Sequence, residues 1–394
     1  MNKITALTFI ECYLPGFRFG GPVRTISNMA EHLSADVDFK IVTRDRDLGE
    51  KEPYPGIIPG RWYPVGSAQV YYATRRQLWL HNLRKLLNSE EYDVIYLNSF
   101  FSPDFSIKIM FLRRLGLIPY KPVILAPRGE FSDGALSLKR LKKHIYLVAA
   151  RKLGIYKQHI LWQASSEYEE SDIKRIIGKS ANVNIAITIA PDLPQAPGLE
   201  NNNTTSEVIE PDHLKIIFLS RISRMKNLDY SIRVLYDIPF PVTFDIYGPI
   251  GDQEYWNECK QLLHKLPSHI QYEYKGIVEP GDVHSVMHKY DLLFLPTRGE
   301  NFGHVIFEAF RAGCPVLISN KTLWRDLTAK NVGWDLPLED VERFRAALKE
   351  YTGMDCAQRT EMRHRAKEFA DSFVRNSNIL QQNRELFVKS LRVP

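Results

Sequence analysis

The chain has 394 residues, too many for one ordinary hydrophobic core and enough for two domains of roughly 190 residues. Its 44% hydrophobic and 25% charged residues are typical of a soluble globular protein. The net charge of +6 allows attraction to phosphate or anionic lipid without requiring it, and we expect no nucleic-acid partner.

The cysteines are far apart in the sequence and show no CxxC or other metal-ligand spacing. They are Cys12, Cys259, Cys314 and Cys356. This pattern argues against a disulfide framework and a zinc site, and reduced thiols predict a cytoplasmic protein. The apolar run at 1–14 is too short to span a membrane and lacks a small-residue cleavage site, so we interpret it as the first buried strand.

Short apolar runs alternate with helical patterns along the whole chain, which predicts doubly wound α/β units. Predicted strands in the first half cover 4–14, 37–43, 93–98 and 121–127, and predicted helices cover 23–33 and 104–116. The second half repeats the alternation with strands at 215–220, 242–248, 270–276, 291–296 and 315–319. Helical patterns at 342–354 and 357–373 follow.

A segment rich in Pro, Asn, Thr and Glu separates the two halves. Because its composition leaves little apolar surface to bury, residues 191–213 are predicted to be a linker or a surface excursion. We therefore predict a first Rossmann-like domain over 1–190, a second over 214–375, and a C-terminal segment over 376–394. Two such domains have a cleft between them, which is the usual place for a ligand.

The stretch 296–319 carries the strongest functional signal. An apolar run ends at Pro296, a loop with two glycines follows, and a helical pattern covers 304–312. Unpaired N–H groups and the positive end of the helix dipole make such a turn an anion site. Glu300 and Glu308 flank it, and carboxylates there would repel a phosphate but suit hydroxyl groups attached to one, as in a sugar nucleotide. The alternative is a plain βαβ turn whose glutamates are solvated or face the helix dipole.

Glu300-Asn-Phe-Gly303, Glu308-Ala and the following Ala-Gly-Cys-Pro-Val resemble the EX7E signature of retaining glycosyltransferases of family 4, which adopt the GT-B fold. The resemblance implies two Rossmann-like domains facing across a cleft, with the terminal segment returning to the first domain. It also implies that Glu300 contacts the donor sugar, that Glu308 contacts the nucleotide ribose, and that turn amides hold the diphosphate. The implied donor-binding residues of this stretch are Glu300, Asn301, Phe302, Gly303, His304, Val305 and Glu308.

The loop after the first strand of the second half contains Arg221 and Lys226, five positions apart, before a helix predicted to open at Asn227. A planar guanidinium and a mobile ammonium make a good diphosphate clamp, whereas the alternative is a basic loop paired with surface acids. The segment resembles the family pattern GRLxxxKG, with Ser220 and Asn227 in place of its glycines. The resemblance implies that Arg221 and Lys226 are catalytic together with Glu300, because they neutralise the departing diphosphate.

Gly20 and Gly21 follow the first strand and precede a helix, and Pro22 suits a first helical turn. A plain βα turn is the alternative, but the segment resembles the glycine loop that faces the donor phosphate in the family. No GxGxxG follows any predicted strand, which argues against a nicotinamide enzyme. Recognition of the donor base is expected around Gly276 and Val278.

Arg128 and Gly129 follow the strand at 121–127 and resemble a Pro-Arg-Gly sequence found near the acceptor cleft in the family. The preceding strand ends with Tyr96 and Asn98, where many relatives carry a histidine-containing pattern. The resemblance assigns Arg128, Gly129 and Asn98 to the acceptor side, and it leaves open whether Tyr96 or Asn98 replaces a histidine. In the family the departing phosphate oxygen itself serves as the base.

Asp45 and Asp47 formally match DxD, the metal-binding motif of the other large transferase fold. They follow a predicted strand of the first domain, away from the donor motifs, so we expect no metal site. The resemblance implies that Arg, Lys and helix amides neutralise the leaving group without a divalent ion. We therefore expect no cofactor, with a nucleoside diphosphate sugar as substrate.

Residues 139–157 combine seven cations with a small apolar stretch in a helical pattern. A partly buried helix with a solvated basic face is one explanation, and a surface that meets an anionic leaflet is the other. We expect a cytoplasmic protein with peripheral attachment to the inner face of the plasma membrane. The cations are Lys139, Arg140, Lys142, Lys143, Arg151, Lys152 and Lys157.

Together these features predict a retaining glycosyltransferase that moves a sugar from a nucleoside diphosphate sugar to a glycan or a polyprenyl-diphosphate-linked acceptor in bacterial surface polysaccharide assembly. Two alternatives share the fold. Sugar-nucleotide 2-epimerases lack the arrangement of Arg221 and Lys226 followed by an EX7E helix. A GT-B protein that binds a nucleotide or glycan without turnover is compatible with the departures at Tyr96 and Asn98.

Overall fold

The structure is a computed structural model that describes residues 3–157, 159–178, 185–195 and 213–393. The chain divides into two compact units. Unit 1 contains Met1–Ala196 together with Ser377–Pro394, and unit 2 contains Pro197–Asn376. Most of the predicted linker at 191–213 lies outside the described residues.

The centre of unit 1 is an eight-stranded sheet with the order β3-β4-β2-β1-β5-β6-β7-β8. Neighbouring strands are parallel except for β3, which pairs antiparallel with β4 at the edge. The strands are β1 Ile4–Phe9, β2 Val37–Arg44, β3 Trp62–Val65, β4 Ala68–Ala73, β5 Val94–Leu97, β6 Val123–Leu125, β7 Ile160–Ala164 and β8 Ala186–Ile189.

Six helices of unit 1 precede the chain's passage into unit 2. They are α1 Gly21–His32, α2 Leu80–Ser89, α3 Lys108–Arg114, α4 Asp133–Ser137, α5 Arg140–Lys152 and α6 Glu167–Ile177. Apolar side chains of α2, α3 and α5 share one buried cluster with every second residue of the central strands, such as Leu7 and Phe9 of β1. Since alternate strand residues point to opposite sides, these three helices cover one face of the sheet.

Unit 2 has a six-stranded, fully parallel sheet with the order β11-β10-β9-β12-β13-β14. Its strands are β9 Leu214–Leu219, β10 Val242–Tyr247, β11 Ile270–Gly276, β12 Leu292–Leu295, β13 Val316–Ser319 and β14 Gly333–Leu336. Its helices are α7 Leu228–Leu235, α8 Gln253–Leu263, α9 Val283–His288, α10 His304–Arg311, α11 Val341–Gly353 and α12 Cys356–Val374. The chain builds outward from β9 to β11 and then crosses to β12 on the other side of β9, so a topological switch point lies between β9 and β12.

The last helix, α13 (Ser377–Ser390), is part of unit 1. The Phe387 ring meets Phe39 and Tyr96 edge-on, with ring centroids 5.5 and 5.6 Å away. Asn383 donates through Nδ2 to the Pro191 carbonyl at 2.8 Å. Phe39 and Tyr96 are absent from the cluster beneath α2, α3 and α5 and belong to the opposite residues of the pleat, so α13 covers the other face of the sheet.

Each predicted strand overlaps a strand of the structure, but β3, β4, β7, β8 and β14 were not predicted. The predicted helix over 104–116 is present, but its first turn is π-helical and it ends at Arg114. A π-helical turn at Pro103–Ile107 comes first, and α3 begins at Lys108. No helix among the described ranges is both long and apolar enough to cross a membrane.

The predicted basic helix over 139–157 is shorter in the structure, since α5 ends at Lys152. Six of its seven cations are exposed. The exception is Lys143, which donates through Nζ to the Ala135 carbonyl at 2.6 Å and lies 5.0 Å from the Phe101 ring centre. Lys143 is therefore half-buried, while the other six cations lie on the outer surface.

Candidate active site

The loops after β9 and β12 lie side by side at the switch point of unit 2, because the carboxyl ends of adjacent parallel strands share one edge of the sheet. The Arg298 N–H donates to the Met225 carbonyl at 2.8 Å, and the Thr297 hydroxyl donates to the same oxygen at 3.1 Å. Asn227 donates through Nδ2 to the Pro296 carbonyl at 2.9 Å. These bonds join the two loops that carry the predicted catalytic residues.

Lys226 and Glu300, which are 74 positions apart in the sequence, form an ion pair between Nζ and Oε2. Each side chain is 16% exposed, so the pair lies at the surface of the sheet edge and not in the core. The Glu300 N–H donates to the Lys321 carbonyl at 3.0 Å, which ties the same loop to the one after β13. Two predicted catalytic residues are thus brought into direct contact.

Arg221 begins the loop after β9 and lies along the loop after β10. A Cβ added to Gly251 would come within 2.8 Å of the Arg221 Cδ. A Cβ added to Gly248, whose φ is +131°, would lie 2.0 Å from the Ser220 carbonyl oxygen. The close approach of these two loops requires glycine at position 248, whereas a side chain at position 251 would have to displace the Arg221 side chain.

Gly276 ends β11 and accepts the Gly248 N–H at 2.7 Å, while Val278 packs half-buried against the core of unit 2. Both lie at the carboxyl end of β11, two strands along the sheet from β9. The residues predicted near the donor base are therefore connected to the Arg221 loop through the loop after β10.

The N-terminus of α10 is shaped by Gly303, which has a φ of 75° in the left-handed region. A Cβ there would lie 2.9 Å from the Glu300 Cγ. The Ile306 N–H makes the first bond of the helix, to the Gly303 carbonyl at 2.8 Å, so the amides of His304 and Val305 precede that ladder. They and the helix dipole provide the positive potential that an anionic group requires.

The remaining predicted donor residues surround this helix end. Phe302 is buried, and its carbonyl accepts the Trp324 Nε1–H at 2.7 Å. This bond ties the loop to a buried residue of the core. Asn301 is half-buried beside it, and Glu308 is half-buried in the second turn of α10. The EX7E residues therefore occupy one helix end and the loop before it.

Sequence analysis missed Arg298 and Lys321, which are also exposed at this edge. Arg298 donates through Nε to the Asn227 Oδ1 at 2.9 Å, so its guanidinium lies between the two loops. Both cations lie in the loop that begins at the carboxyl end of an apolar strand, and that position was the available signal. Only the strand order shows that their loops meet the loop of Arg221 and Lys226.

In unit 1 the glycine loop after β1 is shaped by Asp47. Its carboxylate accepts the N–H groups of Phe17 and Arg18 at 2.8 and 3.0 Å, and that of Leu48 at 2.7 Å. Gly20 then caps α1 with a φ of 79°, and Gly21 is the first residue of that helix. The backbone is accessible at this turn because glycine has no side chain.

The two aspartates of the DxD match bind groups of the protein itself in these loops. Asp45 binds the Arg46 guanidinium through both oxygens, at 2.8 and 3.1 Å, while Asp47 binds backbone N–H groups. Across the described part of the chain, no group of three or more His, Cys, Asp or Glu residues is arranged to hold a metal ion.

Arg128, at the carboxyl end of β6, is the centre of a buried polar network. Its side chain is 7% exposed and pairs with Asp192 at 2.6 Å. It also donates to Asn98 Oδ1 at 2.8 Å and to the Tyr96 hydroxyl oxygen at 2.5 Å. Asp192 in turn accepts the Thr25 hydroxyl of α1 at 3.0 Å. The guanidinium therefore joins the ends of β5 and β6 to α1 and to the segment after β8.

The other acceptor-side residues belong to the same network. Burial raises the pKa of Tyr96 to about 12, and its hydroxyl donates to Gln163 Oε1 at 2.6 Å, so it is an unsuitable proton acceptor. The Gly129 N–H donates to the Glu169 carboxylate at 2.7 Å. Asn98 lies beside Arg128, and the contact of these residues with an acceptor stays a prediction.

Comparison with known proteins finds a family resemblance in unit 2. Residues 200–372 match the family described as Glycosyl transferases group 1. The fold is the GT-B fold. An uncharacterised 41.2 kDa protein in the cps region of Klebsiella pneumoniae is 25% identical over 310 residues, covering 77% of this chain and 80% of the relative.

Solved structures resemble the whole chain. Sucrose-phosphate synthase from Thermosynechococcus elongatus has a TM-score of 0.71 at 15% identity, covering 98% of this chain and 99% of that one. HepE of Anabaena, solved with UDP and glucose, has a TM-score of 0.64 at 16% identity, covering 98% and 100%. WaaG, a glycosyltransferase involved in lipopolysaccharide biosynthesis, has a TM-score of 0.64 at 15% identity, covering 94% and 95%.

Gly303→Ala is expected to destabilise unit 2 by about 1–2 kcal/mol, because a left-handed backbone is unfavourable for any side chain. The close contact with the Glu300 Cγ adds to that cost. Thermal unfolding measures the effect. Gly281→Ala is the matched control, since its Cβ would meet nothing within 4 Å and its φ is ordinary. Equal melting temperatures for the two variants would contradict the strain at Gly303.

Arg128→Met is expected to destabilise unit 1 by about 3–5 kcal/mol, because it leaves the buried Asp192 carboxylate without its charge partner. Arg128→Met combined with Asp192→Asn should recover part of the loss. Arg375→Met is the control, since its exposed pair with Asp371 spans 3.9 Å and such pairs contribute about 0–1 kcal/mol. Similar melting temperatures for Arg128→Met and Arg375→Met would show that the network is not structural.

Proposed function

We propose that this protein is a retaining glycosyltransferase that moves a sugar from a nucleoside diphosphate sugar to a hydroxyl of a surface-polysaccharide acceptor. The observation that carries the proposal is the contact between Lys226 and Glu300 at the switch point, in the loop that begins with Arg221 and beside the N-terminus of α10. Cations and helix amides suit the diphosphate, and the carboxylates of Glu300 and Glu308 suit hydroxyl groups of the sugar and ribose.

The reaction breaks the bond between the sugar's anomeric carbon and the diphosphate oxygen. A bond from the acceptor hydroxyl oxygen forms on the same face of the sugar, and the hydroxyl proton passes to the departing phosphate oxygen. The negative charge of the leaving group grows as the bond breaks, so Arg221, Lys226 and the amides at Gly303, His304 and Val305 stabilise the transition state more than the ground state. Tyr96 takes no part in this proton transfer.

Two structural relatives support a uridine diphosphate sugar as the donor. HepE of Anabaena was solved with UDP-glucose, and a structure described as trehalose-6-phosphate from E. coli was solved with UDP-2-fluoro glucose. Thermal shift with UDP, GDP, CDP and ADP tests the base, because a ligand at a hundred times its dissociation constant stabilises by about 2.7 kcal/mol.

The acceptor is a glycan or a polyprenyl-diphosphate-linked saccharide at the cytoplasmic face of the membrane. The cps region of the Klebsiella relative and the lipopolysaccharide role of WaaG support this setting. The basic helix α5 supports peripheral attachment to anionic lipid, since its segment has no Asp or Glu.

Product analysis with a donor panel tests the activity itself. A glycosylated acceptor with the donor's anomeric configuration, assigned by NMR, is the expected result. A product of inverted configuration would overturn retention. An epimerised donor would identify a 2-epimerase, and binding of donor without any product would identify a non-catalytic binder.

Lys226→Ala should lower turnover by roughly a hundredfold or more, because it removes one charge that stabilises the developing anion. The measurement is the initial rate at saturating donor. Lys349→Ala, on the exposed side of α11, is the matched control and should retain full activity. A folded Lys226→Ala or Arg221→Ala protein with a normal rate would rule out the assigned charge stabilisation.

Activity should survive EDTA with little loss, because Arg221, Lys226 and the α10 amides are available to neutralise the diphosphate. The assay compares the dialysed enzyme with and without the chelator. Loss of activity that Mn²⁺ or Mg²⁺ restores would refute metal independence. Asp45→Asn would then show whether the DxD residues bind that ion.

A further inference from the structure

Three helices on one face of the unit 1 sheet are directly connected at their ends. Lys108 at the start of α3 donates through Nζ to the Leu78 carbonyl before α2, at 2.8 Å. Arg114 at the end of α3 donates through Nε to the Leu153 carbonyl after α5, at 3.0 Å. We call the outer surface of segments 74–88, 108–117 and 138–157 the three-helix face.

The charged residues of the three-helix face are all positive. Its segments contain fourteen of the chain's 52 Lys and Arg residues and no Asp or Glu, so the rest of the chain is net acidic. Three of these cations are not fully exposed: Arg113 is buried, Lys108 is half-buried and pairs with Asp104, and Lys143 is half-buried and contacts Phe101. The exposed cations are Arg75, Arg76, Arg84, Lys85, Arg114, Lys139, Arg140, Lys142, Arg151, Lys152 and Lys157.

Large apolar side chains are exposed on the same face. It carries eight of the sixteen exposed large hydrophobic residues found in the described part of the chain. Trp79 is 62% exposed at the start of α2, and Leu141 and Ile145 are 72% and 58% exposed on α5. The others are Leu80, Phe111, Leu115, Leu138 and Leu153. Large apolar side chains exposed in this number on one face are typical of an interaction site.

The combination of exposed cations and exposed apolar side chains indicates which class of partner this face binds. A nucleic acid would use the cations and the aromatic rings, but exposed aliphatic side chains such as Leu141 and Ile145 would gain nothing from it. An anionic bilayer satisfies both, since lipid phosphates attract the cations and the interfacial region accepts Trp, Leu and Ile.

We propose that the three-helix face is one membrane-binding surface, in which α2 and α3 add to α5, with Trp79 and Leu141 at the level of the lipid headgroups of an anionic bilayer. The proposal deepens the peripheral attachment proposed above, and it does not depend on the transferase assignment. Attachment through α5 alone would use a single helix, whereas three helices present a broad surface that sets the orientation of unit 1 on the membrane.

Sedimentation with vesicles of phosphatidylglycerol and phosphatidylcholine, compared with phosphatidylcholine alone, tests the surface. The wild-type protein should bind the anionic vesicles at low salt and less as the ionic strength rises. Arg84→Ala with Lys85→Ala, both on α2, should weaken binding at least tenfold, because each cation near an anionic surface adds about 1 kcal/mol, or about fivefold. Lys51→Ala with Arg61→Ala, exposed in unit 1 outside the face, is the matched control.

Apolar contact is tested by Trp79→Ser with Leu80→Ser, which should lower vesicle binding, with Ile58→Ser as the exposed control. Vesicles should shift the tryptophan emission of the wild-type protein to shorter wavelength, and Trp79→Phe should abolish most of that shift. The α2 variants should keep normal transfer to a soluble acceptor, which shows that they are folded.

Three results would overturn the proposal. If the α2 variants bind like wild type while Lys139→Ala with Lys142→Ala loses binding, attachment is confined to α5. If the wild-type protein ignores anionic vesicles at low salt, both the face and the attachment fail, and the transfer assay with a soluble acceptor still decides the enzyme. If it binds single-stranded oligonucleotides and not vesicles, the partner is a nucleic acid.

Discussion

The adjacency of β9 and β12 is the constraint on which the candidate active site depends. Since the chain builds outward from β9 and then crosses to its other side, the loops after these two strands leave the same edge of the sheet in neighbouring positions. Hydrogen bonds through Met225, Asn227 and Pro296 join them, and the pair of Lys226 and Glu300 follows from that contact. A cation and a carboxylate side by side suit a ligand that is anionic at one end and hydroxylated at the other.

Charged residues have different uses in the two units. In unit 1, the charged groups of Arg128, Asp47 and Glu130 pair with groups of the protein itself and shape its loops. Glu130, for example, accepts hydrogen bonds from the Phe100 N–H at 2.6 Å and the Ser99 hydroxyl at 2.8 Å. Burial raises the pKa of Glu130 while these donors oppose the rise. At the unit 2 edge the paired charges of Lys226 and Glu300 remain partly exposed. Charges that are partly exposed can exchange protein partners for a ligand, whereas buried ones cannot do so without a large desolvation cost.

The two faces of the unit 1 sheet have different outer surfaces. One is covered by α13, whose Phe387 packs between Phe39 and Tyr96. The other carries α2, α3 and α5, whose inner sides build the core and whose outer sides expose both cations and apolar groups such as Trp79. A surface that meets water alone would keep the cations and bury or replace the apolar residues.

The amino-acid sequence by itself determined the α/β class, most central strands and the positions of Glu300, Glu308, Arg221 and Lys226, because strand-length apolar runs and glycine-marked loops are local signals. It did not predict the short edge strands β3 and β14, which have weak periodicity. The contact of Lys226 with Glu300, the inward direction of Lys143 and the burial of Arg128 were decided only by the tertiary structure. Those properties depend on which strands are neighbours and on the side to which each helix turns, and both are set by long-range packing that no local pattern contains.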